Sequence, residues 1–280
     1  MERPVISFLT DFGPESAPAI CRGVMLSIAR DAQVVDISHT IRKYAIRDGA
    51  YLLWTAVQWM PVGVHVVVVD PGVGTDRHPI AILTGRGDIL VGPDNGVLRP
   101  AAAILGGATE ARILENRDLM LDTLTSTFHG RDVFAPVGAH LAAGRPFESV
   151  GRTIALDELV ALEFPTPTVR AGVLETTVLF VDSFGNVRLA GQPADLEAAI
   201  GPLESGRALV LEFAAHDGAQ RVEATAPWSR TFGERPLGTA LIYSNSFGHL
   251  AIAVNQGSAA ELFGVDVDRP VRIRPAGAPR

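Results

Sequence analysis

Val64-His65-Val66-Val67-Val68-Val69 is a nearly unbroken run of β-branched residues. Such side chains are stiff about χ1 and favour extended backbone. A strand with one wet face alternates apolar and polar residues, whereas a strand buried on both faces reads as one continuous apolar stretch. This run therefore demands a sheet covered on both sides. The sequence around it supplies the cover. Val5 to Thr10 and Val34 to Ile37 are further strand candidates, Ile20, Val24 and Ile28 recur at helical spacing, and Leu52, Leu53, Ala56 and Val57 mark a helical stretch within Ala45 to Trp59. Pro79 to Thr84, Ile89 to Val91 and the turn Pro93-Asp94-Asn95-Gly96 continue the pattern. The expected fold is α/β, with an N-terminal doubly wound domain over residues 1–165.

Phe164-Pro165-Thr166-Pro167-Thr168 is the expected linker, because two closely spaced prolines break helices and central strands alike. Beyond it the texture changes. Val173 to Val181, Arg207 to Phe213, Arg221 to Thr225, Thr239 to Tyr243, Leu250 to Val254 and Val271 to Ile273 are short strand-like runs separated by Gly, Asn, Asp and Pro. They imply a small C-terminal all-β, barrel-like domain over residues 169–280.

The 280 residues are 47% hydrophobic and carry a net charge of −7, so disorder is not expected and a sizeable core is available. Arginines are scattered and aromatics sparse, which removes the electrostatic footprint of nucleic-acid binding. Cys21 is the single cysteine; it permits no internal disulfide and suits a reducing compartment. No apolar segment approaches the roughly 18 residues that span a bilayer, and Met1-Glu2-Arg3-Pro4 runs directly into a strand-like stretch. A cytoplasmic protein with no membrane and no nucleic-acid partner is expected.

Chemistry-bearing residues gather on turns next to strands. Asp11 follows the first strand and precedes Phe12-Gly13, at the carboxyl edge where open α/β sheets bind ligands. An ionised carboxylate there suits the two hydroxyls of a ribose diol, and equally suits an N-cap or Asx turn. Asp70 ends the valine run and opens Pro71-Gly72-Val73-Gly74; Arg77 can fold back over that turn, where a structural ion pair is the plain alternative. His129 precedes the amphipathic residues Val133, Phe134, Val137 and Leu141, which puts it at a helix N-terminus. There the macrodipole disfavours the imidazolium and leaves a neutral ring able to accept a proton. A carboxylate, a guanidinium and an imidazole can together hold and deprotonate a water.

In the second domain, Asp182-Ser183-Phe184-Gly185-Asn186 and Tyr243-Ser244-Asn245-Ser246-Phe247-Gly248 place aromatic groups beside amides and hydroxyls. Such clusters can stack a base and read its edge, or form ordinary hairpin corners. The chain has no Gly-x-x-x-x-Gly-Lys-Ser/Thr loop, no Gly-x-Ser-x-Gly elbow and no His-Glu-x-x-His. Asp11, Asp70, Asp94 and His129 could ligate a hard metal, but no tight cluster demands one, so metal-free chemistry without a cofactor is the expectation.

At these residues the chain resembles the S-adenosyl-L-methionine hydroxide adenosyltransferases, relatives of the fluorinase and chlorinase enzymes. The resemblance spans nearly the whole chain. It is carried in order by Thr10-Asp11-Phe12-Gly13, Asp36-Ile37-Ser38-His39, Val69-Asp70-Pro71-Gly72-Val73-Gly74, Gly92-Pro93-Asp94-Asn95-Gly96, Phe128-His129-Gly130-Arg131-Asp132, Phe184-Gly185-Asn186-Val187 and Asn245-Ser246-Phe247-Gly248. It implies attack of water on the ribose C5′ of S-adenosyl-L-methionine, with Asp70, Arg77 and His129 as the catalytic triad and Asp11 on the ribose hydroxyls. The implied substrate-binding set continues with Tyr44, Thr127 and Phe128, with Asn186, Val254 and Asn255 for adenine, and with Asp182, Tyr243 and Ser246 for the methionine end or base edge. It also implies a homotrimer with active sites at subunit interfaces. Val73, Gly130 and Phe247 stand where the halogenase branch carries hydroxylated or basic side chains, so halide is expected to be poorly held. The alternatives are an adenosyl halogenase, a sensor that binds the nucleoside without turnover and, more remotely, a metal-dependent phosphoesterase.

Overall fold

The valine run forms the centre of a sheet. The computed structural model describes residues 3–277, and its contacts divide between Glu163 and Phe164 into two units. Among the described residues the first unit has seven strands: β1 (Val5–Thr10), β2 (Gln33–Ser38), β3 (Val64–Val68), β4 (Pro79–Thr84), β5 (Ile89–Pro93), β6 (Ala108–Ile113) and β7 (Thr153–Ile154). Their order is β2-β1-β3-β5-β4-β6-β7. β2, β1, β3 and β5 run parallel, while β4, β6 and β7 add an antiparallel flank. Every residue of β3 is buried.

Four helices cover this sheet: α1 (Ala17–Ile28), α2 (Ile46–Val57), α3 (Arg99–Ile104) and α4 (Ala135–Ala142). Cys21 and Met25 of α1 and Val137 and Leu141 of α4 share one core with Ile6, Phe8, Val64, Val66 and Val68. Val69 has the opposite parity and meets α2, approaching so closely that a Cβ on Gly49 would lie 2.8 Å from its Cγ2. Both faces are therefore dry, as the valines require. The Cys21 thiol is pushed up to about 12 by burial and is chemically quiet.

His65 is the one polar residue in the run, and its ring is fully buried. Its Nδ1 lies 2.7 Å from Ser7 Oγ and its Nε2 lies 3.0 Å from Asp88 Oδ1. Arg86 binds the same carboxylate through Nε and Nη2, and its Nη2 also donates to Val57 O at the end of α2. Burial pushes the Asp88 carboxyl up, but His65 and Arg86 outweigh it and hold it well below the ordinary carboxylate range.

The second unit is strand-dominated. It contains β8 (Thr168–Arg170), β9 (Val173–Val181), β10 (Val187–Leu189), β11 (Ala208–Phe213), β12 (Val222–Pro227), β13 (Ala240–Ser244), β14 (Leu250–Val254) and β15 (Pro270–Pro275). The antiparallel order is β12-β11-β15-β9-β10-β14-β13, with β8 on β9. A bridge between Trp228 and Ile242 joins the two ends of that path, so the sheet nearly closes on a core that includes Leu174, Val178, Leu211 and Ile252. Two short helices, α5 (Pro193–Ile200) and α6 (Ala259–Phe263), accompany the strands. Among the described residues no helix is long and apolar enough to cross a membrane.

Replacing His65 by Leu strands the Ser7 hydroxyl and one bond of Asp88 in a dry interior. The expected loss is roughly 1–3 kcal/mol in urea unfolding, and an unchanged midpoint would remove the network from the stabilising features of the sheet.

Candidate active site

Because β1, β3 and β5 are parallel, the residues that follow them emerge on one edge of the sheet. Asp70 lies there, just past β3. Asn95, past β5, donates from Nδ2 to Val69 O at 2.8 Å and so steadies the end of the neighbouring strand. The turn after Asp70 is closed by Val73 N to Asp70 O at 3.3 Å and Thr75 N to Gly72 O at 3.1 Å. It returns Arg77 over the carboxylate. Arg77 Nε lies 3.0 Å from each Asp70 oxygen, and Nη2 also donates to Oδ2. The guanidinium lies 5.1 Å from the Phe134 ring centroid. Only 10% of the Arg77 side chain and 5% of the Asp70 side chain are exposed, so the fork is fixed in a largely dry setting.

His129 caps a single π-helical turn, Gly130–Phe134, that leads into α4. Such turns are uncommon and cluster at functional sites. Arg77 Nη2 lies 3.0 Å from His129 Nδ1. Arginine has only N–H groups to offer, so Nδ1 is the acceptor and the neutral ring carries its proton on Nε2. Burial lowers the His129 pKa first, the Arg77 charge lowers it further, and the Asp70 and Asp132 carboxylates oppose them; the net direction is below the ordinary histidine value. Burial and Arg77 favour the neutral imidazole, the form expected from the sequence on the separate ground of a helix terminus, and its accepting nitrogen is already occupied.

Two close approaches lock the loops together. Gly74 has φ +77° and a Cβ there would lie 2.6 Å from Ser126 O, so the Asp70–Arg77 turn rests on the loop that carries His129. A Cβ on Gly130 would lie 2.6 Å from Phe12 Cζ, and the Phe12 ring meets Phe128 edge-on at 5.6 Å. The Asp11-Phe12 turn thus touches the same loop. Asp11 Oδ2 accepts from Tyr44 N at 2.9 Å, a contact across 33 residues that makes it neither an N-cap nor a local Asx turn. Tyr44 is 69% exposed and holds φ +67°, an unfavourable conformation for a residue with a Cβ. Thr10 Oγ1 lies 2.9 Å from His39 Nδ1, and Gly13 N donates to His39 O at 2.7 Å, which explains the Asp36–His39 motif as a brace for this turn.

The structure therefore gathers Asp70, Arg77 and His129 directly, with Phe128 beside them and Thr127 exposed next to it. Asp11 and Tyr44 form a second, linked pair. Asp94 serves elsewhere: its buried Oδ1 accepts from Val160 N at 3.0 Å, and burial raises its pKa. Among the described residues no group of three or more His, Cys, Asp or Glu could hold a metal ion.

In the second unit, Asp182, Asn186, Tyr243, Ser246, Val254 and Asn255 all line one cavity of about 670 Å³. Two turns of the same build flank it. Asp182 Oδ1 accepts from Phe184 N and Asn186 N at 3.0 Å each, and Asn245 Oδ1 accepts from Phe247 N at 2.9 Å and His249 N at 3.0 Å. Both hairpin corners are Asx turns, and each presents a phenylalanine to the cavity. Arg188, absent from the residues singled out in the sequence, also lines it, and its guanidinium lies over the Phe180 and Phe247 rings at 5.4 and 5.3 Å from their centroids.

Residues 6–151 match the family model of the SAM hydroxide adenosyltransferase N-terminal domain, and residues 176–272 match that of the C-terminal domain. The chain belongs to the SAM hydroxide adenosyltransferase family. A family relative from Salinispora tropica, named (R)-S-adenosyl-L-methionine hydrolase, is 42% identical over 271 residues, covering 96% of this chain and 97% of that one. A relative from Actinopolyspora mzabensis named fluorinase is 29% identical over 298 residues, covering 97% of each. A solved structure of an uncharacterized conserved protein from Thermotoga maritima has a TM-score of 0.85 and 34% identity, covering 96% of this chain and 99% of that one. The mixed α/β sheet followed by a nearly closed barrel is thus the family's two-domain architecture.

Gly74→Ala combines an unfavourable backbone conformation with a clash against Ser126 O. We expect it to destabilise the protein by about 1–3 kcal/mol in chemical denaturation and to disturb the Arg77–His129 contact; wild-type stability would show that the two loops are not locked at this point.

Proposed function

We propose that the protein hydrolyses (R)-S-adenosyl-L-methionine to adenosine and L-methionine. Family membership and the hydrolase relatives support the substrate and reaction. The single observation that carries the reading is the continuous hydrogen-bonded chain Asp70–Arg77–His129, which pure binding does not need. Water attacks the ribose C5′, the C5′–S bond breaks with its electron pair going to sulfur, and the water's proton leaves. A sulfonium is an excellent leaving group, so the protein's work is to orient the nucleophile and manage that proton.

The roles follow from the tautomer. His129 donates from Nε2–H to the nucleophile, Arg77 stabilises developing hydroxide, and Asp70, the acceptor among the three, takes the proton. Asp11 has an oxygen beyond the one held by Tyr44 and offers it to the ribose hydroxyls, with Tyr44, Thr127 and Phe128 completing that end. In the proposed assembly the second-unit cavity of a neighbouring subunit takes the rest of the substrate: Asn186 and the backbone at Val254 and Asn255 meet adenine, and Asp182, Tyr243 and Ser246 meet the methionine end or the base edge. Hydrolysis proceeds in the proposed scheme without metal or cofactor, in a cytoplasmic homotrimer whose sites draw on neighbouring subunits.

Incubation with substrate in water, chloride or fluoride, followed by chromatography, tests the reaction. Adenosine and methionine are expected in every case; faster formation of 5′-halo-5′-deoxyadenosine would make the protein a halogenase, and binding without methionine release would make it a sensor. Asp70→Ala, Arg77→Ala and His129→Ala should each lower kcat much more than they raise KM. His129→Gln keeps an N–H donor but cannot take a proton, so it should retain more activity than His129→Ala; equal loss would make the imidazole the base. Protonation of His129 breaks its bond from Arg77, so kcat should fall toward acid through a pKa below the ordinary value of about 6.5 and level off above it. Light scattering should give three times the chain mass, and an active monomer would remove the trimer.

A further inference from the structure

Asp132 closes the His129-Gly130-Arg131-Asp132 segment, yet no role in the reaction falls to it. Its carboxylate is fully buried, in a chain where burying a charge is costly unless every lone pair is used. Three donors use it. Thr125 N lies 2.8 Å and Thr125 Oγ1 2.7 Å from Oδ2, and Arg131 Nε lies 2.5 Å from Oδ1. Burial pushes this carboxyl up, but Arg131 and Thr125 outweigh it and keep it ionised.

The donors show what the charge is for. Residues 121–128 contain no helix or strand, so their position depends on what they are tied to. Asp132 ties them three times: Leu121 N donates to Asp132 O at 3.0 Å, Thr125 is held by the carboxylate, and Asp132 N donates to Phe128 O at 3.1 Å. The carboxylate also aims Arg131, whose guanidinium lies 5.0 Å from the Phe128 ring centroid. Directly after Thr125 comes Ser126, whose carbonyl is the surface on which Gly74 and the Asp70–Arg77 turn rest. The Asp132 main chain thus ties the loop at both ends, and its buried charge holds the middle at Thr125, next to the seat of the neighbouring turn.

We propose that Asp132 is a positioning residue for the reaction, holding the 121–128 loop so that His129 stays in hydrogen-bond register with Arg77. The proposal rests on the hydrolase reading above. It acts through geometry: the Arg77 Nη2 to His129 Nδ1 distance of 3.0 Å survives only if both loops keep their places, and misplacement by about 1 Å can cost roughly a hundredfold in rate. It has an electrostatic signature as well. The charges that act on His129 are Arg77, which lowers its pKa, and Asp70 and Asp132, which raise it. Removing the Asp132 charge therefore moves the His129 pKa further down.

The test compares Asp132→Asn, Thr125→Val and Thr125→Ser with wild type, using adenosine formation and the imidazole pKa followed by NMR. Asp132→Asn should lower kcat between about ten- and a hundredfold with KM within about twofold, and shift the acid limb and the NMR pKa of His129 to lower pH. Thr125→Val should lower kcat in the same sense, Thr125→Ser should restore it, and the Asp132→Asn/Thr125→Val pair should be no worse than Asp132→Asn alone. A folded Asp132→Asn with wild-type kcat would overturn the proposal, whether or not the His129 pKa moves. If Asp132→Asn does not fold, Thr125→Val decides, and wild-type kcat in that variant overturns it. A wild-type protein that forms no adenosine defeats the hydrolase reading instead, while the NMR pKa still reports on Asp132.

Discussion

Arg77 can only donate, and the site in the first unit is arranged around that restriction. Its Nε and Nη2 grip Asp70, and Nη2 continues to His129 Nδ1. A lysine would supply a point charge in place of this planar fork and could not hold both partners in fixed directions. The same guanidinium lies over Phe134, a core residue of the turn that follows His129, so the charge is anchored to the apolar interior as well as to its acid. One side chain thereby sets the distance between carboxylate and imidazole, fixes the tautomer of the ring and lowers its pKa.

The fold delivers the three groups from distant sequence positions. Parallel strands release Asp11, Asp70 and Asn95 on one edge, and the burial of β3 on both faces makes that edge rigid. The loops beyond it have little regular structure and depend on specific contacts: Gly74 against Ser126, Phe12 over Gly130, and Asp132 beneath Thr125. The second unit repeats the strategy on antiparallel strands, where two Asx turns of identical pattern present Phe184 and Phe247 to one cavity.

Strand content was legible because it is written in local periodicity. Val5 to Thr10 is β1, Val173 to Val181 is β9 and Leu250 to Val254 is β14, each at the residues its apolar pattern marks. The ordered motifs likewise marked the segments that carry Asp11, Asp70, His129, Asn186 and Ser246. What was hidden depends on long-range pairing. Nothing local says that His65 will find Ser7 and Asp88, that Asp11 will hold Tyr44 N, or that Thr125 is the partner of Asp132. The π turn at Gly130–Phe134 is invisible for another reason, since it keeps helical composition and changes only the hydrogen-bond register. The five-residue α6 is too short to show a helical period, and the eight-residue α5 spans little more than two turns.

The tautomer of His129 is where structure and mechanism meet most sharply. It follows from Arg77 having no acceptor, and in the proposed reaction it decides whether the imidazole holds the nucleophile or deprotonates it. Nitrogen-15 NMR of the histidine ring at neutral pH measures it directly. The expected spectrum shows an unprotonated Nδ1 and a protonated Nε2, whereas a proton on Nδ1, in either the neutral or the cationic ring, would contradict the Arg77–His129 contact and the chemistry built on it.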